Sequence, residues 1–368
     1  MKVGGVHYRT IWLNDDSWSI SIIDQTKLPH VFETVRLETL NDAARAIKSM
    51  QVRGAPLIGV TAAYGVCLAL RADASNQGLN EACASLAATR PTAVNLNWAL
   101  EEMRKTLMRL PSSQRVAASY AKASQLADDD VETCRLIGYH GQKIISDAAA
   151  LKSGPLNVLT HCNAGWLACV DWGTALSPIY QAHNAGVPVH VWVDETRPRN
   201  QGAALTAFEL KAHGVPHTII ADNAGGHLMQ HGEVDLCIVG CDRLTAAGDA
   251  ANKIGTYLKA LAASDNRVPF YVALPRSTID WTISDGVRDI PIEERSALEV
   301  THMTGRAESG KILTIEVTSP GSPAANPAFD VTPARLITGI MTERGVAPAT
   351  REALAQLYPD MVADAAAA

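Results

Sequence analysis

Two stretches of this sequence place reactive side chains where a buried strand should end. The apolar run 234–239 leads into Gly240-Cys241-Asp242-Arg243, and a glycine turn at Gly248 then brings up Asn252-Lys253. The apolar run 156–159 leads into Thr160-His161-Cys162-Asn163-Ala164-Gly165. In open α/β sheets ligands bind outside the carboxyl ends of the strands, so groups arriving there are placed for chemistry. A buried Asp can hold or release a proton, and a Lys beside an Asn can hold an anion. The combination suits a phosphorylated, oxygen-rich small molecule, with Asp242 and Cys162 as the candidate reacting groups.

Cys162 is read as opening a helix over 166–185. A thiol at a helix N-terminus sees the positive end of the macrodipole, which can lower its pKa from about 8.5 to about 3.5–7.5. Such a thiolate could act as a base or stabilise positive charge. A structural cysteine at a tight turn would look the same, and the sequence leaves both readings open.

Three more segments add polar groups. Asp194-Glu195-Thr196-Arg197-Pro198-Arg199-Asn200-Gln201 ends a second apolar run, 187–193. Gln201 can bond sugar hydroxyls, while Arg197 and Arg199 either serve a ligand or pair with Asp194 and Glu195. Asp222-Asn223-Ala224-Gly225-Gly226-His227 ends a third run, 217–220. His227 and His231 stand four apart, as helical metal pairs do. No Glu follows His227, so the zinc-protease pattern fails and no metal is assigned. Nearer the N-terminus, Arg53-Gly54-Ala55 precedes a helix over 56–70, and Arg90 precedes one over 95–110. An Arg beside free helix-start N–H groups makes an anion cradle. Two such cradles facing the strand-end cleft would let the first domain close over a phosphate.

These groups need an α/β frame. After about residue 152, five apolar runs, the four above and 270–274, alternate with helical segments over 166–185, 205–212 and 253–263, which implies a doubly wound parallel sheet. A further strand is expected over 312–317 and a helix over 333–344. Before residue 150 the pattern is helical (42–50 capped by Asn41, 56–70, 95–110, 114–127, 131–150) after a short β-rich start. The expected architecture is a C-terminal Rossmann-like domain (151–360), a smaller, mostly helical N-terminal domain with a short sheet (1–150), and a frayed Ala-rich tail (361–368).

Composition narrows the class. With 368 residues, 47% of them hydrophobic, the chain can form two cores, and its net charge of −6 gives no global footprint for nucleic acid. The seven cysteines form no CxxC pair, as befits buried thiols in a reducing compartment. Neither a signal peptide nor an apolar stretch of about 20 residues is present, so a soluble, cytoplasmic protein without membrane partners is expected. The turn after the first strand of the second domain lacks GxGxxG, which argues against a dinucleotide, and no cofactor is expected.

Seven blocks in order, RGAPLIGV (53–60), RPTAVNL (90–96), THCNAG (160–165), DETRPRNQGAALTAFEL (194–210), DNAGGHLM (222–229), VGCDRLTAAGDAANKIGTY (239–257) and NPAFDVTPARLITGIMTERG (326–345), resemble the 5-methylthioribose-1-phosphate isomerase family. That family includes ribose-1,5-bisphosphate isomerases and regulatory subunits of a eukaryotic guanine-nucleotide exchange factor. The resemblance implies isomerisation of 5-methylthioribose 1-phosphate to 5-methylthioribulose 1-phosphate in methionine salvage, by a cytoplasmic homodimer without cofactor or metal. It places the catalytic pair on Cys162 and Asp242, and substrate binding on Arg53, Gly54, Ala55, Arg90, Gln201, Asn252 and Lys253. A silent regulatory subunit would not need Cys162 and Asp242 together. Departures at Asn200, 275–278 and 313–325 concern the group on C5. A sibling isomerase of ribose 1,5-bisphosphate or a 5-deoxypentose 1-phosphate is therefore the alternative.

Overall fold

Five of the apolar runs become neighbouring strands in a computed structural model of the chain, which describes residues 1–90 and 93–361. They form a seven-stranded sheet in the order Gly345–Ala347, Gly339–Thr342, Phe270–Ala273, Leu236–Val239, Leu156–Thr160, Val189–Asp194, His217–Ile220. Every neighbouring pair is parallel except Gly339–Thr342 with Gly345–Ala347. All residues of Leu236–Val239 are buried, which is why this strand is apolar without alternation. The chain starts the sheet at Leu156–Thr160, builds outward through Val189–Asp194 and His217–Ile220, then returns to the other side at Leu236–Val239. That reversal is the topological switch point, where strand-end loops diverge and leave a crevice. Cys162 and Asp242 follow the two strands that flank it.

The N-terminal part begins with an antiparallel sheet of Ile11–Leu13, Ile20–Ile23 and Thr34–Leu37. Helix Leu40–Lys48 is capped by Thr39 rather than Asn41, with Thr39 and Asp42 bonding each other's backbone N–H. Helix Ala55–Leu70 is buried on nearly every side, and the helices Leu40–Lys48, Asn76–Ala87, Val94–Leu107 and Ser112–Ala149 pack around it. Ser112–Ala149 is one continuous helix where two were expected, because Asp128-Asp129-Asp130 does not break it.

Several expectations are corrected. The segment 166–185 is a short 3-10 turn, an irregular loop and only then a helix, Leu176–Asn184. The residues 333–344, expected to be helical, hold the strand Gly339–Thr342, because a short apolar run fits either state. The helix expected from 253 starts at Thr256, and Ala250–Lys253 is a strand in a second sheet with Arg243–Thr245, Ile279–Asp280 and Phe329–Thr332. Ile312–Glu316 is a strand as expected, but it pairs only with His302–Arg306 in an exposed hairpin. Except for Met361, the expected frayed tail lies outside the described residues, as do Pro91 and Thr92. No helix among the described residues is long and apolar enough to cross a membrane.

Candidate active site

Cys162 has φ 66°, a left-handed conformation uncommon outside glycine, and only the three-residue 3-10 turn Trp166–Ala168 follows it before the helix at Leu176. Its backbone is held from both ends. The Cys162 N–H donates to Thr196 Oγ1 at 2.8 Å, and Thr206 Oγ1 donates to the Cys162 carbonyl at 2.7 Å. The helix macrodipole on which the thiolate reading rested is therefore absent. Burial pushes the Cys162 thiol above its ordinary pKa, with Arg53 and Lys253 pulling it down and Asp242 raising it further.

The preceding residue ties this turn to the opposite side of the crevice. His161 is buried, with Nδ1 2.8 Å from Asp194 Oδ2 and Nε2 2.8 Å from the Ile254 carbonyl. Lys259 Nζ lies 3.1 Å from the same Asp194 oxygen. Asp194 is thus taken by His161 and Lys259, and the pairing expected between the acids and arginines of 194–199 does not form. Arg199 instead pairs with Glu299 at 2.7 Å, and Arg197 donates to the carbonyls of Pro198 and Val300. Asp222 accepts from the N–H groups of Thr196 and Arg197, both at 2.7 Å, which fixes the loop that carries Gln201. His227 and His231 sit together at the helix Ala224–Gln230, outside the cleft.

Asp242 lies between the end of Leu236–Val239 and a β-hairpin, with its N–H donating to the Ala251 carbonyl at 2.9 Å. Burial raises its pKa, against the pull of Lys253, Arg53 and Arg90. Lys253 is 7% exposed and lines the cleft, donating to the Ala328 carbonyl at 2.9 Å and lying over the Phe329 ring. Asn252 is one residue along the same strand, so its side chain takes the other face. It donates to Thr256 Oγ1 at 3.0 Å and stands behind the cleft wall rather than lining it.

The phosphate side comes from the N-terminal part. Arg53 is 8% exposed and grips Asn163 twice, through Asn163 Oδ1 and, at 2.8 Å, through its carbonyl. Gly54 has φ 89° and precedes Ala55, the first residue of the buried helix. A Cβ on Gly54 would stand 2.3 Å from the Ala168 carbonyl oxygen, so only glycine fits. Arg90 reaches across to Glu293 at 3.1 Å.

These groups converge on one cleft enclosing about 870 Å³ of space, part of it open to solvent. Arg53, Gly54, Ala55, Arg90, Cys162, Gln201, Asp242 and Lys253 all line it. Gln201 is 5% exposed, and its Oε1 is among the buried side-chain oxygens that accept no hydrogen bond from the protein. Apolar residues that sequence reasoning missed also line the cleft, Ile58, Ile290, Pro291, Ile292 and Phe329, together with Arg295. Arg295 pairs with Glu293 at 3.0 Å and with Glu299 at 2.7 Å. The segment 290–300 has no helical or strand period, and its mixture of apolar residues and alternating charge was the one clue to it.

A model of the initiation factor 2 subunit family matches residues 51–349. The chain is 69% identical over 360 residues to a methylthioribose-1-phosphate isomerase of Methylorubrum extorquens, covering 98% of this chain and 99% of that one. It is also similar to the solved structure of 5-methylthioribose 1-phosphate isomerase from Pyrococcus horikoshii OT3, with TM-score 0.82, 38% identity and 96% of each chain covered. Translation initiation factor eIF-2B, subunit delta, from A. fulgidus is similar as well, with TM-score 0.79, 36% identity, and 96% of this chain and 100% of that one covered.

Proposed function

The chain belongs to the initiation factor 2 subunit family and, within it, to the methylthioribose-1-phosphate isomerases, and we propose that the strand-end cleft is where it turns that aldose phosphate into its ketose. The observation that carries the proposal is the convergence of Cys162, Asp242, Arg53, Arg90, Gln201 and Lys253, from distant parts of the chain, on one cleft.

The phosphate on the anomeric oxygen blocks the free aldehyde, so the ring must open before hydrogen moves from C2 to C1. Arg53, the helix-start N–H groups at Gly54-Ala55, Arg90 and Lys253 hold the phosphate dianion. Asn252 backs Lys253 from behind, and the orphan Gln201 oxygen accepts from a sugar hydroxyl. Asp242, whose pKa burial raises, gives its proton to the ring oxygen as the bond from C1 to that oxygen breaks. Hydrogen then moves from C2 to C1, and the C2 hydroxyl returns its proton to the Asp242 carboxylate as the ketone forms. A neutral, buried Cys162 thiol favours transfer as hydride, with the sulfur shielding C1 and its developing positive charge from water. Product formed in deuterated water then carries no deuterium at C1, and deuterium found there overturns the hydride route.

The apolar residues of the lining, Ile58, Ile290, Pro291, Ile292 and Phe329, support a methylthio group on C5 over a second phosphate. The further cations Arg199 and Arg295 already carry partners in Glu293 and Glu299. Assayed side by side, methylthioribose 1-phosphate should show a higher kcat/KM than ribose 1,5-bisphosphate or a 5-deoxypentose 1-phosphate, and the reverse order overturns the assignment. The proposal also divides the chain near residue 150 and has a cytoplasmic homodimer that acts on this small molecule, without nucleic acid, cofactor or metal. Sedimentation at twice the 39.2 kDa chain mass checks the dimer.

A further inference from the structure

One fully buried carboxylate near the cleft has no part in the chemistry above. Glu209, on the helix Ala207–His213, is 0% exposed and touches neither the cleft nor solvent. Four donors converge on it. Oε1 accepts from Asn163 Nδ2 at 2.8 Å and from the Leu167 N–H at 3.0 Å. Oε2 accepts from the Trp166 N–H and from the Tyr180 hydroxyl, both at 2.9 Å. The chain makes room for it at Gly165, where a Cβ would stand 1.9 Å from Glu209 Oε2.

The bond to Asn163 leads into the site. The amide nitrogen of Asn163 is committed to Glu209 and Thr206, so its oxygen must point the other way, where Arg53 donates to it. The Asn163 carbonyl takes a second Arg53 N–H. A flipped amide would set N–H against N–H at Arg53 and oxygen against oxygen at Glu209. An acceptor-only carboxylate is what fixes the amide, and the amide is what fixes the guanidinium.

We propose that Glu209 is a positioning residue for the phosphate arm: through Asn163 it orients Arg53 to receive the substrate phosphate. The inference rests on the reading that Arg53 binds that phosphate. Burial pushes the Glu209 carboxyl up to about 7 while its four donors pull it down, and because every one of these neighbours donates, the acceptor-only form is the one they hold.

The test is a double-mutant cycle read by inorganic phosphate inhibition and by KM and kcat on the full-length enzyme. Glu209→Gln keeps the shape but turns one oxygen into a donor facing donors, so KM and the phosphate inhibition constant should rise about tenfold, with kcat changed less. Tyr180→Phe removes one donor and leaves the carboxylate facing Asn163, so its phosphate affinity should stay within about twofold of the parent. In an Arg53→Ala background, Glu209→Gln should add almost nothing to the loss, because it acts through the missing group. Thermal unfolding of each variant verifies that it is folded. If folded Glu209→Gln binds phosphate like the parent, or if its effect multiplies that of Arg53→Ala, the positioning role is overturned while the phosphate reading stands. If Arg53→Ala alone leaves phosphate binding unchanged, both fall. Should Glu209→Gln not fold, Asn163→Asp, which sets a second carboxylate against Glu209, takes its place in the same cycle.

Discussion

The two strand ends that supply the reacting groups are built by different means. Cys162 is held by side chains from remote parts of the chain: Thr196, Thr206 and, through its neighbour His161, Asp194. Asp242 and Lys253 are held mainly by main chain, in a hairpin whose second strand also pairs with Phe329–Thr332. A frame of side chains can fix an unusual backbone shape, such as the positive φ of Cys162, but each member is a single point of failure. A ladder of backbone bonds cannot make that shape, yet it survives the loss of any one side chain. Substitutions on the Cys162 side should therefore spread, and those on the Asp242 side should stay local.

The largest effects come from the reacting groups themselves. Cys162→Ser should be nearly inactive, since a hydroxyl is smaller and less polarizable than the thiol and shields C1 less well. Asp242→Asn should lose at least about 10²-fold in kcat while its substrate KM stays close to the parent, because the ladder keeps residue 242 in place. Near-normal turnover in either variant removes that residue from the mechanism. The pH profile sharpens the contrast. Burial raises the Asp242 pKa, so the acid stays protonated above the usual carboxylate range. Turnover then holds at low pH and falls as pH rises through that raised value, where the proton donor is lost. Residual activity in Asp242→Asn should lack this alkaline fall.

Next in size is the phosphate. Arg53→Ala and Lys253→Ala should each weaken phosphate binding by about 1.5–3 kcal/mol in calorimetry, the range for a hydrogen bond to a charged group. They should differ in turnover. Arg53→Ala frees Asn163, the residue after Cys162, and lowers kcat as well, whereas Lys253→Ala leaves kcat near the parent. Equal kcat losses in both would erase the distinction between the two frames.

The same distinction explains what could be read from the sequence. Short apolar runs mark the parallel strands, and five such runs in 156–274 are strands of the sheet, of which Leu236–Val239 is apolar and buried at every residue. The chain reversal that places Cys162 beside Asp242 then follows from strand order, and the candidate cleft residues lie after those runs or before helices. The helix expected after Cys162 failed because Trp166 to Ala185 is largely apolar, while the loop inside it is set by Glu209 and Gly165, which composition does not reveal. Asn252-Lys253 was read as a helix start because its strand partner Phe329–Thr332 lies far along the chain. The wall at 290–295 and the Arg–Glu pairs across the cleft depend on tertiary contact alone.

The smallest effect separates the frames most cleanly, because each contains the same device. Thr206 is fully buried, accepts from Asn163 Nδ2 at 3.2 Å and donates to the Cys162 carbonyl at 2.7 Å. Thr256 is fully buried, accepts from Asn252 Nδ2 at 3.0 Å and donates to the Lys253 carbonyl at 2.7 Å. Valine at either position keeps the shape and strands an amide and a carbonyl, so both variants should lose about 1–3 kcal/mol of stability in urea unfolding. Their kinetics should diverge. In Thr206→Val the Cys162 carbonyl loses its hydrogen bond, with no second donor to it among the described residues, and if about 1 kcal/mol reaches the transition state, kcat falls about fivefold. In Thr256→Val the pairing of Lys253 with Phe329 still holds the strand, so kcat stays within about twofold of the parent. Equal kcat losses at equal stability would mean that the backbone ladder gives no insulation, and the two strand ends would then be alike in how they hold their chemistry.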